Sequence, residues 1–518
     1  MADKLQSQIQ RASLLMMASI VLSRVIGFFR EMILARSVGA TEMTDVYYAS
    51  FTIPDFINYL MAAGALSISF IPILAPYLKA DQAQGQKVFR AAASWMGLVI
   101  VILIAMAEWM APNLTAFIAP GFNAEQSKLL TQLLRIILPA QFFFYWGGLA
   151  IAVQQTHGKF LFSALAPIVY NLGIIVFGLL LHQTHGVLGF SIGVTVGCFF
   201  SHGVLQWWGL KQLGYSAIPL FSLDSEVWKA IRRYLWLSLP ISLGFSLVVT
   251  DEWITKYFAS MLEPRAISWL SYARTEMRIP VAIVGQAAGI ASFPYLSRLW
   301  AEKDFGTYHQ TLIRELQKLW ALAPLASVLL IVHSLPITQF VYGGGKLSSA
   351  DLFQTSQTVK VFGFGVFFWT AQILLARVFY SAQKTWLPSL IGSLISVLVI
   401  PLYSILSKEH AHLGLALAGT LGIILYCVVL WGLLVPHLKR HDAGMSFGGF
   451  YGFALRWVGL ILIAVVISVG IRTVFESNES SSRLLSFLEI TLSSSIIGGL
   501  ALWSLRKYFV RWTGTPLY

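Results

Sequence analysis

The sequence predicts an all-α polytopic membrane protein of about fourteen transmembrane helices, built from two pseudo-symmetric six-helix bundles and two further C-terminal helices. Three observations carry this. Of 518 residues, 57% are hydrophobic and only 11% charged, and the mean hydropathy of +0.71 lies outside the range of soluble globular chains. Apolar runs long enough to cross a bilayer, about 20 residues each, recur along the whole chain. Finally, the chain repeats itself at a spacing of 222–225 residues.

The expected spans centre near Val21, Met61, Val101, Phe143, Ile174, Val196, Phe245, Val284, Leu325, Phe368, Val397, Ile424, Ala464 and Ser495. The first, from about Leu14 to Leu34, carries Arg24, Arg30 and Glu31 within apolar sequence. Each charge at bilayer depth costs roughly 2.5–3.5 kcal/mol on insertion scales, so such residues normally face a polar cavity or a partner. The second (Asp45–Leu78) and eighth (Ile267–Arg298) are over-long and interrupted, by Pro54, Gly64 and Pro72 and by Pro280, Gly285, Gly289 and Pro294. Such breaks are tolerated where neighbours or a cavity satisfy the freed backbone groups, and matching broken spans point to a transport pathway.

The repeat aligns Phe142-Phe143-Phe144, Val153 and Lys159 with Phe367-Phe368-Trp369, Val378 and Lys384, each shifted by 225. Tyr48 and Tyr272 are 224 apart, and Ser69-Phe70-Ile71-Pro72 resembles Ser292-Phe293-Pro294. Six spans per repeat preserve orientation, as expected of two parallel bundles related by an axis along the membrane normal. The expected organisation is a first bundle over 1–212, a cytoplasmic linker over 213–226, a second bundle over 227–440 and two extra helices over 441–518.

Orientation follows from Lys and Arg in short loops. Loops after even-numbered spans carry Lys79, Lys87 and Arg90; Lys159; Lys211, Lys229, Arg232 and Arg233; Arg298, Lys303, Arg314 and Lys318; Lys384; and Lys439 and Arg440. Loops after odd-numbered spans are poor in them. Both termini are therefore expected in the cytoplasm, with Lys4 and Arg11 at one end and Arg506, Lys507 and Arg511 at the other. The net charge of +13 is spent on this bias, so no nucleic-acid partner is expected. Trp and Tyr suit interfacial belts. Cys198 and Cys427 lie in apolar runs and are expected as small buried residues. No cleavable leader is evident in the first apolar run. No cofactor is expected: the ten histidines lack a carboxylate or cysteine frame for a metal. Gly343-Gly344-Gly345-Lys346 lacks the spacing of a nucleotide-binding P-loop.

Several motifs in chain order resemble the MurJ/MviN family: Ser23-Arg24-x-x-Gly27-Phe28-x-Arg30-Glu31, Phe70-Ile71-Pro72-Ile73-Leu74-Ala75, Ala119-Pro120-Gly121-Phe122, Ala166-Pro167 with Asn171, Pro294-Tyr295-Leu296-Ser297 with Ala301, Tyr342-Gly343, and Phe379-Tyr380-Ser381 with Gln383. The resemblance implies the fold of the multidrug/oligosaccharidyl-lipid/polysaccharide exporter superfamily, with a central cavity worked by alternating access. It also implies a flippase for lipid II, the undecaprenyl-pyrophosphate-linked peptidoglycan precursor, in the bacterial inner membrane. The protein would then be a transporter and not an enzyme, a monomer whose partners are that lipid-linked glycan and membrane lipids. The family's first-helix arginines fall on Arg24 and Arg30 and its early acidic residue on Asp45. Its second-helix arginine pair falls on Asn58 and Tyr59 and a nearby glutamate on Ala63. In the eighth helix its Asp-Arg dipeptide falls on Arg274-Thr275 and its following Glu on Arg278. The cationic set is thus rearranged, which leaves a flippase for another undecaprenyl-linked glycan as the alternative. A cation-coupled drug exporter is disfavoured, because a cationic-drug site would be acidic and aromatic.

Holding a pyrophosphate requires groups that replace its water. Arginine does so with bidentate, charge-assisted hydrogen bonds and stays ionised. Arg24, Arg30, Arg274 and Arg278 are the expected substrate-binding residues. Arg24 and Arg30 lie about 120° apart on a helix, so that one grips substrate while the other pairs internally; Arg24 and Glu31 share a face. Arg274 and Arg278 share another, with Glu276 opposite. Structural ion pairing or snorkelling is the competing reading for each. Glu31, Asp45, Asp251, Glu252 and Arg377 are expected in gating or ion pairing. Asp45 equally suits the N-cap of the second span. Asp251 and Glu252 suit a coupling-cation or proton site, or counter-ions for the arginines, and Lys256 close behind favours a structural ion pair.

Overall fold

In lipid every backbone N–H and C=O must be satisfied internally, so a chain this apolar can cross the membrane only as helices or a closed barrel. The computed structural model describes residues 2–62, 65–243, 247–441, 446–476 and 483–513, and these are helical with short connections. The expected span centre Phe245, the break at Gly64 and the family position Ala63 lie outside the described residues, as do the side chains of Lys4, Arg11, Pro72, Arg506, Lys507 and Arg511.

The helices are α1 (Ala2–Val38), α2 (Glu42–Ala49), α3 (Thr52–Ala62), α4 (Ala65–Ala80), α5 (Gln82–Ile118), α6 (Ala124–Ile137), α7 (Ala140–Thr156), α8 (Leu161–His185), α9 (Val187–Cys198), α10 (Leu205–Gln212), α11 (Ser225–Leu243), α12 (Leu247–Ala259), α13 (Ala266–Pro280), α14 (Gln286–Ala301), α15 (Phe305–Val332), α16 (Ser334–Tyr342), α17 (Ser349–Ser381), α18 (Trp386–Lys439), α19 (Gly448–Glu476) and α20 (Arg483–Thr513). Two π-helical turns, Phe199–Val204 and Val281–Gly285, join α9 to α10 and α13 to α14. The second follows Pro280 directly, so the expected break in the eighth span is a widened turn. Among the described residues, nine stretches are long and apolar enough to cross a membrane, and α18 supplies two expected spans. The remaining expected spans, the first, second, seventh and eighth, are those that carry charged residues within the span or are broken into shorter helices.

Helix ends follow local chemistry. Asn123 and Gln126 form a capping box at α6, and Ser348 and Asp351 form one at α17, each satisfying N–H groups that have no partner inside the helix. The turns repeat with the sequence. Positive φ occurs at Gly158 and Gly186 (70° and 55°) and, 225 residues later, at Gln383 and Ala411 (60° and 48°); Gly39 (84°) has its counterpart at Arg265 (82°), 226 residues on. At Ala411 the backbone leaves the helical region (φ 48°, ψ −133°) and bends α18, and Gly186 has nearly the same conformation (φ 55°, ψ −128°).

Two compact units divide the chain, Met1–Gly244 and Phe245–Tyr518. In the first, α1 packs on α8, and α8 on α9 at near backbone contact: a Cβ on Gly173 would stand 2.4 Å from the Cα of Gly197. A core of Phe70, Phe89, Tyr145, Leu149 and Tyr234 joins α4, α5, α7 and α11. Thus α11, which the duplication assigns to the second bundle, packs within the first unit, where Tyr234 meets Phe70 edge-on at 5.6 Å. In the second unit α17 packs on α13, α15 and α18, while α19 lies on α15 and α20 on α16. Trp457 of α19 donates from Nε1 to the Ala321 carbonyl at 3.0 Å. Both cysteines are buried, each thiol 3.3 Å from a carbonyl, that of Ala140 for Cys198 and of Phe368 for Cys427.

Candidate functional site

In the first unit, α1 brings Arg30 and Glu31 against α2 and α8. The Arg30 guanidinium donates from Nε to Glu31 Oε1 at 3.1 Å, and its Nη2 closes the ion pair on the same oxygen. Nη1 donates to Asn171 Oδ1 at 3.0 Å. Asn171 is fixed in turn by its Nδ2, 2.9 Å from the Pro167 carbonyl one turn back on α8. The other Glu31 oxygen accepts from the Tyr48 hydroxyl at 2.8 Å. Each of the three nitrogens has a partner, which fixes the plane of the guanidinium and leaves one N–H on each Nη uncommitted among the described residues. Gly27 faces the same asparagine: a Cβ there would sit 3.7 Å from Asn171 Oδ1, an ordinary contact. Arg24, nearly two turns earlier on α1, is exposed.

Asp45 is buried within the first turn of α2, and the N-cap of that helix is Thr41, whose hydroxyl accepts from Thr44 N–H at 3.2 Å. The capping role expected for Asp45 is therefore filled by Thr41, four residues earlier. Asn58 and Tyr59 lie half-buried on α3.

In the second unit a deeper cluster forms between α12, α13 and α18. Asp251 and Arg274 are 3% and 4% exposed and ion-paired through Oδ2 and Nη1. Arg274 Nη2 lies 3.4 Å from Thr255 Oγ1, and its guanidinium carbon sits 5.2 Å from the Phe362 ring centroid. The second Asp251 oxygen accepts from the Tyr403 hydroxyl. Gly419 leaves room for that carboxylate, since a Cβ there would stand 2.4 Å from Oδ1. One turn along, nearer the surface, Arg278 Nη2 donates to Glu252 Oε2 at 2.8 Å. Of the readings open for Asp251 and Glu252, these cross-helix pairs match that of counter-ions for the arginines and not the same-helix pairing with Lys256, because α13 faces α12 and brings both guanidiniums to the carboxylates. Lys256 instead lines, with Glu252, Thr255 and Arg274, a cavity of about 10 Å³, room for roughly one water.

The expected anion-binding cations are thus in different states. Arg24 is exposed, Arg30 is half-buried and braced, Arg278 is half-exposed in an ion pair, and Arg274 is enclosed with its charge compensated. Arg377 is half-buried on α17. Glu276, on the opposite side of α13, is buried and accepts from Thr338 at 3.2 Å. Tyr403, Thr255 and Gly419 carry no signal in the sequence that marks them as site residues. Also unforeseen is a buried cluster beside α16, in which Glu489 of α20 meets His333 Nδ1 at 2.7 Å and Arg472 of α19 at 3.4 Å. Among the described residues no group of metal-binding side chains occurs.

The model of the lipid II flippase MurJ family matches residues 34–488. The chain belongs to this family. The MurJ family member of Burkholderia cenocepacia, named lipid II flippase MurJ, is 28% identical over 474 residues, 88% of either chain. A solved lipid II flippase MurJ in an inward closed conformation shares the fold with a TM-score of 0.78 at 19% identity, over 96% of this chain and all of that one. An inward-facing multidrug resistance MATE family transporter is a more distant structural match, with a TM-score of 0.68 at 15% identity over 83% of this chain and all of that one.

Proposed function

We propose that the protein is a lipid II flippase, a multi-pass membrane transporter and not an enzyme, that moves the undecaprenyl-pyrophosphate-linked peptidoglycan precursor from the cytoplasmic to the outer leaflet. The observation that carries this is the MurJ family match across residues 34–488, reinforced by arginines retained inside the first span. The two bundles, 1–212 and 227–440 joined by 213–226, would alternate access to a central cavity. The hydrocarbon tail would stay in lipid, and the two C-terminal helices would extend its groove. Both termini would be cytoplasmic and the working unit a monomer.

In this reading Arg24 and Arg30 contact the pyrophosphate. Arg30 is held in plane by Glu31 and Asn171, so it presents a fixed donor set without a reorganisation cost at binding. Arg278, half-exposed, contributes a further cation when its ion pair with Glu252 opens. Arg274 supports the site from within, because its charge is already matched by Asp251. Asp45 and Arg377 belong to gating.

The test is complementation in a bacterium depleted of its own lipid II flippase. The protein is expected to restore growth, and Arg24→Ala and Arg30→Ala are each expected to abolish rescue at unchanged membrane levels. Absence of rescue at normal expression would sink the lipid II assignment. The uncharged Asn58 and Tyr59 would then favour a flippase for another undecaprenyl-linked glycan.

A further inference from the structure

The segment after α10 lies down on α5 as a strap. Gln86 Nε2 donates to the Gly214 carbonyl (3.0 Å), Arg90 Nε to that of Ile218 (2.9 Å) and Trp95 Nε1 to that of Ser222 (3.2 Å). Leu220 N–H donates to Ser94 Oγ (2.7 Å), and Lys87 pairs with Asp224 (2.6 Å). Between this strap, α5 and α7 lies a cavity of about 280 Å³, walled by Gly97, Val101, Phe142, Trp146, Ile218 and Phe221. That volume sits near the lower end of small-molecule pockets, roughly 300–1,000 Å³, and suits a hydrocarbon chain better than a glycan.

Two features name the occupant. The pocket continues into the outward face of α5, where Leu98, Val99, Val101 and Ile102 are 41–50% exposed, so a lipid chain can enter sideways without leaving the bilayer. At the polar end stands Arg90, which is anchored through Nε alone, with no carboxylate within ion-pairing distance among the described residues. Its two Nη groups are free, the geometry that grips a phosphate bidentately. The eleven residues from Arg90 to Val101 span about 16 Å of helix, within the reach of one acyl chain. Trp95, stacked edge-on with Phe221 (5.1 Å) and Trp228 (6.2 Å), marks the interfacial depth at which headgroups lie.

We propose that this pocket holds one acyl chain of an anionic glycerophospholipid from the surrounding bilayer, with its phosphodiester on the Nη groups of Arg90. An anionic lipid is favoured over a zwitterionic one because the guanidinium is uncompensated and a headgroup ammonium would be repelled. The bound lipid braces the strap that leads into α11. The inference rests on the bilayer placement of α5 and is independent of which glycan is carried.

The experiment is native mass spectrometry of the purified full-length protein titrated with phosphatidylglycerol or phosphatidylethanolamine of identical chains. Phosphatidylglycerol is expected to bind at least about fivefold more tightly, the preference one cation at the surface gives. Arg90→Gln, which keeps a donor for the strap, should abolish the preference, and Gly97→Leu should weaken both lipids by filling the cavity. Should Gly97→Leu not fold, as judged by thermal unfolding, Val101→Trp closes the mouth from its exposed side. Equal binding of the two lipids by the parent protein, or unchanged preference in Arg90→Gln, overturns the proposal. Displacement of phosphatidylglycerol by equimolar undecaprenyl phosphate also overturns it, because the pocket would then serve the cargo's tail.

Discussion

Asp251 and Arg274 show what a buried charge demands of its neighbours. Each oxygen of Asp251 has a partner, Arg274 for one and Tyr403 for the other, and Gly419 leaves the space. Removing one member of such a pair strands the other in a low-dielectric interior, at a cost of about 3–5 kcal/mol, whereas removing both is far milder. Asp251→Ala is therefore expected to lower the melting temperature in detergent sharply, and the double variant with Arg274→Ala to recover part of the loss. A melting point unchanged in Asp251→Ala would show that the pair does not support the fold. Arg30 differs because it is half-buried and keeps contact with polar surroundings, so its replacement should act on transport more than on stability.

The same turn recurs in both halves with different residues. Gly186 and Ala411, 225 positions apart, share a positive-φ conformation, and a Cβ added at Gly189 or Gly414 would collide with Leu181 or Leu406, themselves 225 apart. Glycine enters that conformation freely, whereas an alanine held there stores about 1–3 kcal/mol. Ala411→Gly is expected to raise the melting temperature, because relieved strain exceeds the roughly 0.4–1 kcal/mol lost to a more flexible unfolded chain. A fall in melting temperature would show that Ala411 relaxes away from positive φ. The repeat was legible in the sequence through aromatic clusters and Lys159 and Lys384. The shared turns were not, because the second copy replaces glycines with Arg265, Gln383 and Ala411, which give no turn signal.

At the scale of the whole molecule, the two C-terminal helices are joined to the rest of the second unit by a hydrophobic seam of Ala321, Leu325, Phe453 and Trp457 and by the His333–Glu489–Arg472 cluster. Lipid is as apolar as such a seam, so association of helices there depends on close packing and on polar contacts with no alternative partner. Glu489→Ala should loosen α19 and α20, read as faster amide exchange in α20 while α17 and α18 are unchanged. Equal exchange in the variant would assign the attachment to the apolar seam alone.

Hydropathy, loop charge and the 225-residue repeat are properties of composition along a line, and the bilayer turns them directly into spans and an expected orientation. Read along the chain, the residues therefore suffice for a helical membrane protein with fourteen expected spans, a duplication, and arginines that need a reason to be in the first helix. They do not determine which carboxylate answers which arginine. On one helix Asp251 and Glu252 have Lys256 as their nearest cation, yet α13 brings Arg274 and Arg278 to them, and Tyr403 arrives from α18 some 150 residues away. Those partners, the placement of α11 in the first unit and the strap over α5 come from the packing of the folded chain. In a low-dielectric interior a charge takes the partner that packing delivers, and packing joins residues that sequence spacing keeps apart.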